Sequence, residues 1–204
     1  MKNIYIILIL FFSFTIYSCA KKSDTSSTTT ATTELEGTWT SSCYSGWDNH
    51  YIIKTITVTG STLVIKWDEH SDLNCITDYA IWTDTHSSFY IGDEATLDNG
   101  STGRKFTMKL DSLEVYMQTA TAATDYNNYV YCGDSDYALN TTKDYTGKTC
   151  GSDVKWAANT DLYGMYVLDG SSLLSSYSTS DNVSSVGSRV YTKQYYLILS
   201  LLAV

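Results

Sequence analysis

Residues 105–118 read Lys-Phe-Thr-Met-Lys-Leu-Asp-Ser-Leu-Glu-Val-Tyr-Met-Gln, and their periodicity decides the fold class. Phe106, Met108 and Leu110 alternate with Lys105, Thr107 and Lys109; Leu113, Val115 and Met117 then alternate with Glu114, Tyr116 and Gln118. A period of two puts one set of side chains in a core and the other in water, the pattern of a half-buried strand. Asp111-Ser112 between the runs reads as a tight turn, so the stretch is expected to be a hairpin, with its lysines forming cross-strand charge pairs on the wet face.

The same signal recurs on both sides. Ile52, Ile56 and Val58, then Leu63, Ile65 and Trp67, flank Thr59-Gly60-Ser61 and predict a hairpin over Tyr51 to Thr59 and Thr62 to Asp68. Leu162 to Leu168 and Ser171 to Tyr177 flank Asp169-Gly170, residues that suit a turn with positive φ. Cys75 to Thr83 and Ser88 to Gly92 read as two further strands with weaker alternation, Asp93 to Gly103 as a loop, and Val190 to Leu199 as the last strand. Eighteen Tyr, five Trp and no Pro fit strands better than helices, so the fold class is all-β.

Thr119 to Gly151 interrupts the strand pattern. Ser135, ahead of Asp136 to Asn140, reads as a helix cap, so a short helical insertion is expected there. Cys43, Cys75, Cys132 and Cys150 form an even set in what reads as an exported chain. Two disulfides are expected, three connectivities are possible, and the sequential pairs Cys43 with Cys75 and Cys132 with Cys150 are favoured.

Function is less legible. A net charge of −9 and a pI near 4.6 argue against nucleic acid or an anionic membrane surface as partner and favour a neutral, apolar or cationic one. The sequence has no Gly-x-Ser-x-Gly elbow, His-Glu-x-x-His, phosphate-binding glycine loop or calcium loop, so no catalytic residue, metal ligand or cofactor site is assigned. His50, His70 and His86 each fall near a predicted strand end and read as solvated turn residues. Asp68-Glu69, Asp93-Glu94 and Asp134-x-Asp136 read as solvating carboxylates, and the tyrosines as strand stabilisers rather than sugar-stacking platforms.

At the N-terminus, Lys2, the apolar run Ile4 to Phe14, and Ile16-Tyr17-Ser18-Cys19 have the layout of an export signal. The ending resembles the bacterial lipoprotein signal. That resemblance implies removal of residues 1–18, acylation of Cys19 with palmitate-type chains, and attachment to a lipid bilayer in the cell envelope. Because Ala20 rather than Asp follows, it further implies the outer membrane. Ala20 to Thr33 carries no apolar residue larger than alanine and reads as a polar tether, with the domain starting near Leu35.

Leu35-Glu36-Gly37-Thr38-Trp39 resembles the Gly-x-Trp opening of the lipocalin superfamily, and Thr124-Asp125-Tyr126-Asn127-Asn128-Tyr129 resembles a second lipocalin element. With Cys43 and Cys75 added, residues 35 to 95 are similar to the extracellular domains of the adenomatosis-polyposis-coli-down-regulated Wnt-inhibitor family and of bacterial lipoproteins related to them. These resemblances imply an up-and-down, lipocalin-like β-barrel of about 8–10 strands over residues 35–204, with a disulfide-stapled insertion at about 119–151. Trp39, Ile56, Val58, Leu63, Ile65, Trp67, Phe106, Met108, Leu113 and Val115 are the expected lining. The expected function is a non-enzymatic, membrane-anchored binding module for a small apolar ligand; the alternative is a structural or adhesive surface lipoprotein whose barrel is filled by its own side chains.

Overall fold

The structure is a computed structural model and describes residues 33–195. The export signal, Cys19, nearly all of the tether and the apolar residues after Tyr195 lie outside the described residues.

The described chain is a predominantly antiparallel β-sheet protein with one α-helix. In chain order it forms β1 (Gly37–Ser41), β2 (Tyr44–Ser45), β3 (Tyr51–Thr59), β4 (Thr62–His70), β5 (Asp78–Thr96), β6 (Thr102–Met117), α1 (Ala120–Asn128), β7 (Thr142–Asp144), β8 (Thr149–Cys150), β9 (Asp153–Val154), β10 (Asp161–Asp169), β11 (Ser172–Ser178) and β12 (Tyr191–Gln194). β3 to β6 form a meander; β10 pairs with β6, β11 with β10 and β12 with β11. β1 then pairs with β12 along one edge and with β3 along the other, which makes the sheet ring-like. β3 and β4 meet across Gly60 and β10 and β11 across Gly170, both at positive φ, where a glycine has no Cβ penalty.

The stretch 105–118 is not a hairpin. Residues 105–117 lie within the single strand β6, and Asp111-Ser112 is a bulge: Ser112 pairs with Thr85 and Leu110 with His86, leaving Asp111 as an extra residue without a partner. The extra residue flips the parity, so Phe106, Met108 and Leu110 before it and Leu113, Val115 and Met117 after it all point into the core. Lys109 accordingly has its ion pair with Asp161 on β10, 2.7 Å away, and not across a hairpin. β5 is likewise one long strand rather than two. Its register shifts between Ser87 and Tyr90, where Ser88 has φ 53°, carry the inward face from His86 over to Phe89.

At the end of the ring near the β3–β4 turn the interior is packed solid. Ile56, Val58, Leu63, Ile65, Phe89, Phe106, Met108, Tyr166 and Leu173 enclose about 20 Å³ of free space, room for about one water and far too little for a ligand. Trp39 is buried here, and its indole N–H donates to the Leu35 carbonyl at 2.9 Å. Phe106 needs Gly164 opposite it on β10, because a Cβ there would stand 2.1 Å from the ring.

The helix is displaced from its expected place. Thr119 caps α1, its Oγ1 accepting from the Ala122 N–H at 3.1 Å, whereas residues 135–138 are in neither helix nor strand. Asn127 explains the difference: its side chain accepts from the Tyr137 N–H at 2.7 Å and donates to the Tyr137 carbonyl at 2.9 Å, taking both backbone groups a helix there would need. Thr124 to Asn128 are helical, so the lipocalin-like element expected at Thr124 to Tyr129 is not a strand.

Deleting Asp111 removes the bulge but leaves Leu110, Ser112 and Leu113 in unbroken alternation, so both apolar runs keep facing the core; inserting one further residue after Ser112 instead turns Leu113, Val115 and Met117 outward. The insertion is predicted to abolish cooperative unfolding in a urea titration followed by circular dichroism, while Asp111→Ala, at an exposed position, shifts stability by under about 1 kcal/mol. An insertion variant that unfolds as cooperatively as the parent would show that the parity of this strand does not fix its register.

Candidate functional site

The other end of the ring holds an open cavity of about 1200 Å³. Its depth is set by the sheet. In register, Lys54, Trp67, Trp82 and Val115 form one inward layer across β3 to β6, Ile56, Ile65, Asp84 and Leu113 the layer below it, and Ile52, Glu69, Ala80 and Met117 the layer above. Polar residues thus take core-facing positions: Glu69 is 1%, Asp84 6% and His86 0% exposed.

The walls are aromatic. Trp82 is central, with Tyr145 at 5.2 Å, Tyr131 at 5.4 Å, Tyr126 at 5.8 Å and Trp47 at 6.0 Å between ring centroids, three of the four edge-on. Such pairs are worth about 0.5–1.5 kcal/mol each beyond their burial. Trp67, Tyr79, Trp156 and Tyr177 complete the lining, and exposed Trp47, Tyr129, Val130 and Val154 form its rim. The rim is stapled. Val130 and Cys132 both sit at positive φ, costly for residues with a Cβ, and the Cys132–Cys150 disulfide ties this turn to the β8–β9 hairpin. The second disulfide, Cys43–Cys75, joins the β1–β2 link to the β4–β5 loop.

Glu69 accepts from the Trp82 indole N–H at 3.1 Å and from His50 Nδ1 at 2.9 Å, and His50 stacks on Tyr79 at 4.0 Å. Burial pushes the Glu69 carboxyl above its usual range, with those two donors acting in the opposite direction. Asp84 accepts from the Tyr145 hydroxyl at 3.4 Å, and burial raises its pKa to about 7 against the pull of Lys54. The Lys54 ammonium lies 4.7 Å from the Trp67 ring centroid and 5.7 Å from those of Tyr177 and Tyr191; burial lowers its pKa to about 8. Burial also lowers the His86 pKa to about 4, leaving a neutral ring whose Nδ1–H donates to the Leu63 carbonyl at 3.2 Å.

Of the residues expected to line an apolar lumen, Trp67 and Leu113 reach the open cavity. Trp39, Ile56, Val58, Leu63, Ile65, Phe106, Met108 and Val115 are buried without lining it. His70 and His86 are buried and not solvated turn residues, and the carboxylate of Glu69 is internal. Among the described residues no group of three or more His, Cys, Asp and Glu is placed to hold a metal ion. Asp84 and Glu69 do have a sequence signal: they share parity with Trp82 and Trp67, so each continues an inward face. Polar residues at Asp84 and His86 are what weakened the alternation of this segment.

Glu69 and Asp84, the two most deeply buried carboxylates of the cavity, are not spaced along the sheet as a pair acting on one bond. Glu69 lies opposite Ala80 and Asp84 opposite Ile65, four residues apart along β5. At about 3.3 Å per residue that is roughly 13 Å, beyond the approximately 5–9.5 Å of glycosidase pairs. No protein-family model matches the sequence, and a search of curated proteins finds no significant match.

Because the folded-state pKa of Asp84 is raised, its contribution to stability is fully present below the unfolded value near 4 and is lost as pH rises through about 7. Asp84→Asn is therefore predicted to be more stable than the parent at pH 8, by on the order of 2–4 kcal/mol, and to approach it at pH 4–5. Urea midpoints at the two pH values measure this; an equal difference at both would place Asp84 in water.

Proposed function

We propose that this protein is a ligand-binding lipoprotein of the cell envelope: a lipocalin-like barrel, tethered through acylated Cys19, that holds a small molecule in the open, aromatic-walled end of its ring. The observation that carries the reading is the cavity of about 1200 Å³ beside a filled core, a size at or above that of drug-sized ligand pockets. The ligand differs from the wholly apolar one expected from sequence, because the apolar half of the ring leaves about 20 Å³ and the open half is lined by Trp, Tyr and carboxylates. The filled half also favours a second reading, in which the sheet is a rigid scaffold for a structural or adhesive surface. The lipid anchor rests on the resemblance of residues 16–19 to a lipoprotein signal, and loss of labelled palmitate from a Cys19→Ser variant in the native host tests it.

Four of the five tryptophans, Trp47, Trp67, Trp82 and Trp156, line the cavity, so occupancy is predicted to quench or shift intrinsic fluorescence. Native mass spectrometry of protein extracted from its own host is expected to find a bound small molecule. Adding a ligand at about a hundredfold above its Kd is expected to raise the melting midpoint by roughly 5–10 °C. No bound mass and no shift across aromatic amines, lipids and porphyrins would sink the ligand reading and leave the scaffold one.

A further inference from the structure

We infer that the cavity takes an organic cation, an amine or quaternary ammonium on an aromatic or aliphatic frame, with Asp84 as its counter-ion and the faces of Trp67, Trp82, Tyr145 and Tyr177 as its cage. This rests on the proposal that the cavity is a ligand site.

Five carboxylates line the cavity against one lysine and one histidine. Three are already engaged: Glu69 by His50 and Trp82, Asp125 by the Tyr79 hydroxyl at 2.9 Å, and Asp153 by Lys155. Asp48 is exposed at the rim. Asp84 is different, being buried, inward-facing and held, among the described residues, by one long hydrogen bond from Tyr145. A buried carboxylate is costly without a compensating charge. The nearby cation of the chain, Lys54, makes no direct ion pair with it, because its ammonium is drawn over Trp67, Tyr177 and Tyr191.

Lys54 also illustrates the chemistry. Its ammonium sits on Trp67 and Tyr177, two rings that also line the cavity, so this aromatic wall already holds one desolvated cation. Aromatic faces attract cations through their quadrupoles, and cages of this type recognise quaternary ammonium groups. A neutral ligand could stack on the same rings but would leave the Asp84 charge unmet. An anion would face the excess of carboxylates.

Tryptamine, tryptophol and indole-3-acetate share one aromatic frame and differ in a cationic, neutral or anionic end, so calorimetric titration of the whole protein with each separates frame from charge. At pH 8 tryptamine is expected to bind at least about tenfold tighter than tryptophol, and indole-3-acetate weakest. Asp84→Asn is expected to bring tryptamine and tryptophol within about twofold. Should that variant not fold, the parent and Lys54→Gln are compared at pH 8 and pH 6: protonation of Asp84, which faces Lys54, Tyr145, Lys155 and Tyr177, is expected to shrink the preference several-fold in both, the variant removing the gain of Lys54 charge over the same interval. Tryptophol binding as tightly as tryptamine, or a preference that survives Asp84→Asn, would overturn the inference while leaving a ligand cavity in place. Binding of none of the three would overturn the inference, and the ligand reading falls with it only if lipids and porphyrins also fail to bind.

Discussion

The interior of this protein exists because β1 is paired on both edges. Five residues bridge β3 and β12, and without them the sheet would be an open, twisted ribbon with two unpaired edges. Trp39 sits at this seam, buried, and Lys193 on β12 lies over its ring at 5.1 Å. With the sheet curled into this ring-like arrangement, every second residue of each strand must fit a limited interior. The two longest strands meet that demand with bulges: Asp111 in β6 and the irregularities around Ser88 in β5 reset the parity so that apolar residues stay inside along strands of 16 and 19 residues.

The interior has two halves of opposite character. Toward the β3–β4 turn it is aliphatic, with phenylalanine, and essentially void-free, as protein cores are. Toward the other end, inward positions carry Lys54, Glu69, Trp67, Trp82 and Asp84, and α1 with the stapled segment to Cys150 adds Tyr126, Tyr131 and Tyr145 as a wall. Burial shifts the Asp84 carboxyl up and the Lys54 ammonium down, so both charges are held at a cost that an aliphatic pair would avoid. A scaffold selected for stability alone has no use for that cost, which is why this half is the one read as functional.

The sequence carried the local pattern well and the long-range pattern poorly. The β3–β4 and β10–β11 hairpins were legible because Gly60 and Gly170 mark turns between clean alternations. Asp111-Ser112 was not, since a polar pair between two apolar alternations looks alike as a turn and as a bulge; only the partner strand, through Thr85 and His86, decides between them. The inward carboxylates were hidden by the assumption that an acidic residue faces water, although the parity of Glu69 with Trp67 and of Asp84 with Trp82 placed them inside. α1 gave almost no signal, because its nine residues include two threonines and two asparagines, weak helix formers, and its stability comes from burying Ala122, Ala123 and Tyr126.

Everything above depends on the double pairing of β1, and amide hydrogen exchange followed by NMR tests it directly. In antiparallel pairing, successive amides of a strand point to opposite neighbours. With β3 on one side and β12 on the other, Thr38, Trp39 and Thr40 are all expected to exchange slowly, with comparable protection. Protection at alternate residues only would make β1 an edge strand, open the ring, and contradict both the enclosed core and the cavity beside it.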